Sequence, residues 1–197
     1  CVEILAASYP VIGIVGEDFP KEGWDILNNK NISCKNVISK AGKTFKWGGK
    51  YSDDYSTRET LFTEFGVFET YSPKKIIDSN ETSILFLANI HPNLQKDVLK
   101  KYNSKPKIVA MDTMNLWIDL CVDEVWEVIN TTDIFLLNDE EAIQLTAQNN
   151  LHDAGQILLK KGPSYIIIKK GAYGSMLIQN NSVIDIPVYP NVKIVDP

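Results

Sequence analysis

Three apolar runs in this chain end in side chains that could do chemistry. Ile134-Phe135-Leu136-Leu137 leads into Asn138-Asp139-Glu140-Glu141, and Tyr165-Ile166-Ile167-Ile168 leads into Lys169-Lys170-Gly171-Ala172-Tyr173-Gly174. Ile108 to Met111 leads into Asp112-Thr113-Met114-Asn115. In an open parallel sheet a ligand sits beyond the carboxyl ends of the strands, so polar clusters at these points read as a binding edge. Each cluster also has a plain structural reading. Asn138 or Asp139 can cap the following helix, Asp112 can do the same, and Lys170-Gly171 can be an ordinary turn. His91-Pro92 reads as a helix start, because a lone His without a partner is more often structural than catalytic. The chain contains no Gly-x-x-x-x-Gly-Lys-Ser/Thr loop, and no Gly-x-Gly-x-x-Gly follows a strand. Both a P-loop enzyme and a Rossmann dehydrogenase are therefore disfavoured.

The elements that must position these groups belong to an ordinary globular chain. Its 197 residues suffice for one domain with a real core and are short for two. Apolar residues at 44% and charged residues at 23% exclude a disordered composition. A net charge of −5 argues against nucleic-acid partners and anionic membranes, which need basic surface. The lysines between Lys96 and Lys107 are spread among Asp97, Val98, Leu99 and Tyr102, as at a solvated helix end. Three distant cysteines (Cys1, Cys34, Cys121) without zinc or redox spacing point to a reducing, cytoplasmic setting. Two histidines, His91 and His152, disfavour a His-based metal site or a Ser-His-Asp triad. No apolar stretch reaches the ~18 residues of a membrane span, and Cys1 does not open a signal peptide. The chain begins in mid-pattern without a Met, so a trimmed N-terminus is expected.

Along the chain, Val11 to Val15 reads as a buried strand, and Gly16 to Pro20 turns into a short helix with Pro20 in its first turn. From Ile32 to about Phe68 the pattern changes to exposed antiparallel strands, such as Lys43 to Trp47 and Thr60 to Phe65, with a turn or bulge at Gly48-Gly49. Phe45 and Trp47 share one face at period two, which suits core contact or a lid over a ligand. The second half alternates strands and helices. Strands are expected at 83–90, 107–112, 133–137 and 164–169. Helices are expected over Pro92 to Lys101, Leu116 to Ile129, Glu140 to Thr146 and Leu151 to Lys161. A hairpin of Ser175 to Gln179 and Val183 to Tyr189 turns at Asn180-Asn181, and Val192 to Pro197 reads as a last strand. Strands apolar on both faces imply right-handed βαβ units in a parallel sheet with helices on both sides.

Taken in order, these segments resemble the PfkB family of carbohydrate kinases, the ribokinase-like fold. Ile12-Gly13-Ile14-Val15-Gly16-Glu17-Asp18-Phe19 is similar to the family's Val-Gly-x-Val-Gly-x-Asp-x-x-Gly segment, with Pro20 where that run continues. Asp112-Thr113-Met114-Asn115 resembles Asp-Pro-Asn-x-Arg, with Trp117 where Arg is expected. Asn138 to Glu141 fits Asn-x-x-Glu, and Lys169 to Gly174 fits Thr/Lys-x-Gly-x-x-Gly. Val195-Asp196-Pro197 is similar to the start of Asp-Thr-x-Gly-Ala-Gly-Asp. The resemblance spans essentially the whole chain. Asn-x-x-Glu alone is unspecific; the ordered set is what carries the likeness.

The resemblance implies a single three-layer αβα domain over residues 1–197, incomplete at both termini, with a small antiparallel β lid at about 33–68. It implies an ATP-dependent phosphotransferase acting on a hydroxymethyl group of a sugar. A nucleoside kinase of the same fold and a non-catalytic ligand-binding α/β protein stand as alternatives. Asn138, Glu141, Lys169, Gly171 and Gly174 would serve the nucleotide, with Glu141 on Mg²⁺ through water. Phe45, Trp47 and Asp112 would serve the acceptor and lid, and the lid can also pair between subunits as a homodimer. The general base and anion hole of the Gly-Ala-Gly-Asp segment are expected beyond Pro197. The acceptor itself is not legible.

Overall fold

The computed structural model describes residues 9–30, 32–52, 58–73, 82–102, 104–180 and 182–190. The expected strand Val192 to Pro197, and Asn181 in the expected hairpin turn, lie outside these residues. The described residues form two compact units, one running to Pro73 and the other from Thr82 to Pro190.

In the first unit, β1 (Tyr9–Gly16) pairs parallel with β2 (Ile32–Lys40), joined by α1 (Lys21–Asn29). Pro20 precedes the helix as its cap residue, where its fixed φ and missing N–H cost nothing. β1 is less buried than expected: Val11 is exposed, and Ile12, Ile14 and Val15 are half-buried. β3 (Lys46–Tyr51) pairs antiparallel with β4 (Arg58–Glu64), and the register shifts between Gly48 and Gly49, the expected bulge. The segment expected as a lid thus divides into β2, a parallel strand, and the β3–β4 pair. Phe45 falls one residue before β3 and packs edge-on against Phe65 and Phe68. Lys43 to Phe45 leave the ladder because Thr44 gives its N–H to the carboxylate of Asp18 instead.

The second unit holds a six-stranded mixed sheet in the order β10-β9-β8-β7-β6-β5. β5 (Ile84–Leu87), β6 (Ile108–Asp112), β7 (Ile134–Asn138) and β8 (Tyr165–Lys169) are parallel neighbours, as their apolar runs require. β9 (Ser175–Gln179) and β10 (Ser182–Ile186) form the expected antiparallel hairpin on β8. Between the strands lie α2 (Pro92–Lys101), α3 (Asn115–Leu120), α4 (Val122–Ile129), α5 (Asp139–Thr146) and α6 (Leu151–Leu159).

Leu87, Met111, Phe135, Ile166 and Ile178 stand in one register row and are buried. Each such side chain contributes about 1.5–3 kcal/mol by leaving water, so this row anchors the sheet. Side chains on the opposite face are less buried. Phe86, Tyr165 and Ile184 are exposed, and Leu136, Ile167 and Leu177 only half-buried. Strands β5 to β8 step across the sheet in one direction, each joined to the next through helices, as a three-layer α/β fold requires.

Two element boundaries also depart from the sequence pattern. The helix expected over Leu116 to Ile129 breaks at Cys121 (φ −153°, ψ 53°). The break lets Trp117 and Ile118 bury in one direction and Val125, Val128 and Ile129 in another, while Asp123 and Glu124 suit the new helix start. β5 stops at Leu87 rather than Ile90, because the carbonyls of Leu87 and Ala88 are bonded by the side chain of Gln95 on α2.

Candidate active site

The carboxyl edge of the second unit's sheet is built from three adjacent strand ends. In the ladders, Asp112 of β6 lies opposite Leu136 of β7, and Asn138 of β7 lies opposite Lys169 of β8. The buried rows one residue back (Met111, Leu137, Ile168) fix where these polar residues emerge. The edge is therefore held by the core rather than by loops.

Asn138 is the N-cap of α5, as one of its structural readings required. Its Oδ1 accepts from the Glu141 N–H at 2.7 Å, while Glu141 Oε2 accepts from the Asn138 N–H at 2.7 Å. This is a reciprocal capping box. A third bond, Asn138 Nδ2 to Glu141 Oε1 at 3.0 Å, closes the pair. Glu141 is only 4% exposed. Burial pushes its carboxyl above the usual range, opposed by the Asn138 N–H and by the Lys169 ammonium, while Asp112 and Glu140 push the same way as burial.

Asp112 does not cap a helix; Met114 precedes α3. Its carboxylate instead takes the Lys169 ammonium on both oxygens, at 3.2 and 3.1 Å, and accepts the Thr113 N–H at 3.0 Å. The residue expected on the acceptor side is thus joined to the lysine expected on the nucleotide side. Asp112, Asn138, Glu141 and Lys169 come together at one edge.

After β8 the chain makes a short 3-10 turn, Gly171–Tyr173, held by Lys170 N–H to Gly174 O at 2.8 Å. Gly171 (φ 52°) faces open space, and Gly174 (φ 84°) lies where a Cβ would stand 2.0 Å from Ile186 O. Only Gly174 is required by packing; both adopt a left-handed backbone that favours glycine. Lys170 points away into an ion pair with Asp185 at 2.5 Å.

In the first unit, Asp18 has its own fixed arrangement. Its Oδ1 accepts from Thr44 Oγ1 at 2.7 Å and Thr44 N at 2.6 Å, and Lys46 Nζ lies 3.6 Å from Oδ2. The Thr44 bonds hold its carboxyl below the usual range, with a smaller pull from Lys46. Gly16 N–H donates to Thr44 Oγ1 at 2.9 Å, and a Cβ on Gly16 would stand 2.3 Å from Gly42 O. Trp47 donates its Nε1–H to Thr60 Oγ1 at 3.3 Å and covers Gly49. In the sequence, Asp18 carried no role beyond its place in the family-like motif, and Gln95 was not singled out. Asp18 lies two residues after β1, and Gln95 falls in register with the buried Pro92 and Val98 of its helix.

Among the described residues, no group of three or more His, Cys, Asp or Glu forms a metal cage, and no helix is long and apolar enough to cross a membrane. The donor set at this edge nevertheless fits Mg²⁺. Glu141 and Asp112 keep free lone pairs, and Mg²⁺ takes one or two carboxylates while retaining its waters.

Residues 76–197 match the pfkB family carbohydrate kinase description, and this chain belongs to that family. It is 25% identical over 203 residues to the cytidine kinase of Thermococcus kodakarensis, covering 98% of this chain and 70% of that enzyme. Two solved structures share its ribokinase-like fold. The nucleoside kinase of Methanocaldococcus jannaschii aligns at TM-score 0.77 with 21% identity, covering all of this chain and 64% of that one. A putative ribokinase II of E. coli, in complex with ATP and Mg²⁺, aligns at TM-score 0.80 with 18% identity, covering all of this chain and 67% of its own. The chain thus spans about two thirds of the length of these relatives.

Proposed function

We propose that the intact protein transfers the γ-phosphoryl group of ATP to a hydroxymethyl group on a sugar ring, and that the sheet edge of the second unit is its nucleotide side. The observation that carries this reading is the convergence of a buried, reciprocally bonded Glu141 with the Asp112–Lys169 pair at three adjacent strand ends. Lys169 would offer its ammonium to the phosphates, with Asp112 fixing its direction. Glu141 and Asp112 would hold Mg²⁺ through water, and Gly171 would let the main chain approach the nucleotide. Bound with ATP, Mg²⁺ would neutralise charge on the phosphate oxygens. The proton of the acceptor hydroxyl is assigned to none of the described residues; by the family resemblance it goes to the aspartate of a Gly-Ala-Gly-Asp segment. The β3–β4 pair, with Trp47 on its ligand side, and the Phe45 that precedes it would cover the acceptor, and the pair could join a second subunit.

A nucleoside acceptor is the second reading. The likeness to a cytidine kinase over 98% of the chain favours it, and exposed aromatic rings at Trp47 and Phe45 suit a base as well as a sugar. The test is transfer from ATP and Mg²⁺ to a panel of free sugars and nucleosides by the intact protein, with products read by mass. A phosphorylated hydroxymethyl product supports the proposal, and its parent molecule decides between the two acceptor classes. No transfer to any acceptor, with no ATP bound, leaves the non-catalytic alternative.

A further inference from the structure

Gln95 is 1% exposed, although it lies on a helix that carries four charged residues. Its Nε2 is 3.3 Å from Leu87 O, 2.9 Å from Ala88 O and 3.1 Å from Asp112 O. Two N–H bonds are thus shared among three carbonyls. These carbonyls sit where the β5–β6 ladder runs out, since its last register pair is Leu87 with Met111. A parallel sheet normally leaves its carboxyl edge to loops. Here one buried amide staples two strand ends together, and one of the stapled residues carries the carboxylate that holds Lys169.

We propose that Gln95 is a positioning residue for the phosphate-side cation. By fixing the main chain at Asp112 it sets the Asp112 carboxylate opposite Lys169, and so aims the Lys169 ammonium. The Thr113 N–H orients the same carboxylate from the other side. An apolar residue of similar size would fill the space but take the amide's bonds from the strand-end carbonyls and leave Asp112 free to shift. The inference rests on the kinase reading, because aiming Lys169 matters only where a phosphate binds.

In the intact protein, Gln95→Met keeps the volume and removes both donors. It should raise the KM for ATP·Mg by about tenfold while changing the acceptor's KM by less than about twofold. Combined with Lys169→Met, it should add less than about twofold to the effect of Lys169→Met alone, because both changes act through one contact. A variant that only melts earlier, with both KM values unchanged, overturns the proposal. So does a double variant whose effects multiply in full. Should Gln95→Met fail to fold, the Lys169→Met protein supplies the reading, since releasing Asp112 should move the ¹⁵N–H resonances of the Gln95 side chain. Unmoved resonances overturn it. Calorimetry on the parent separates the two levels. A parent that binds no ATP·Mg removes the kinase reading and this inference with it; a parent that binds, matched by an equally tight Gln95→Met, removes the Gln95 role alone.

Discussion

Asn138 and Glu141 exchange three hydrogen bonds across the first turn of α5, two between side chain and main chain in opposite directions and one between the side chains. Every polar atom of the Asn138 side chain faces Glu141 in this arrangement. The cap and the candidate site residue are one device, and the structural and functional readings of Asn138 do not compete.

Removing that cap should be felt as stability first. Asn138→Ala is expected to cost about 1–2 kcal/mol, the usual range for losing an N-cap, with the buried Glu141 pushing towards the upper end. Urea denaturation of the intact protein checks it; a change below about 0.3 kcal/mol would mean the capping box contributes nothing.

Glu141 should make stability fall as pH rises. Its folded carboxyl titrates above its ordinary value, so the folded state binds more protons than the unfolded state from that value, near 4.5, upward to the raised one. Stability declines through that window and stays lower above it. Glu141→Gln, which can still accept the Asn138 N–H but turns an amide NH2 towards Asn138 Nδ2, should flatten this dependence. Thermal melts of both proteins between pH 4 and about 7 test this, and a decline of equal slope in the two would contradict it.

Gly171 and Gly174 should part company on substitution. Gly174→Ala drives a Cβ into the Ile186 carbonyl and should cost more than about 2 kcal/mol. Gly171→Ala meets open space and should cost only about 1 kcal/mol from its left-handed backbone, yet weaken ATP binding if the nucleotide approaches there. Equal stability losses in the two variants would show that the turn is not held as described.

Lys169→Met should barely alter stability, since its pair with Asp112 is partly exposed and such pairs contribute about 0–1 kcal/mol. It should nonetheless weaken ATP binding by about tenfold, and the salt dependence of binding should diminish with it. Loss of stability without loss of affinity would make the pair structural.

Much of this edge was legible because apolar runs end where the chemistry begins. The four parallel strands follow from runs such as Ile134 to Leu137, and Asn138 and Glu141 from their position just after one. What was not legible depends on three-dimensional neighbours. Phe45 reads as a strand residue until Thr44 is seen bonded to Asp18, which takes the segment off the ladder. The helix break at Cys121 interrupts a stripe that looks continuous in one dimension. Gln95 resembles a solvent-facing helix residue, and only its spacing from Pro92 and Val98 hints that it turns inward. The Asp112–Lys169 pair joins residues far apart in sequence, and no local pattern announces it.

The central claim is that this edge binds ATP with Mg²⁺ through Glu141. Calorimetric titration of the intact protein with ATP, with and without Mg²⁺, tests it most directly when repeated on Glu141→Gln. The account expects Mg²⁺ to tighten ATP binding in the parent, and Glu141→Gln to lose at least about tenfold of that tightening while remaining folded. The same dependence on Mg²⁺ in both proteins would remove Glu141 from the site and contradict the account.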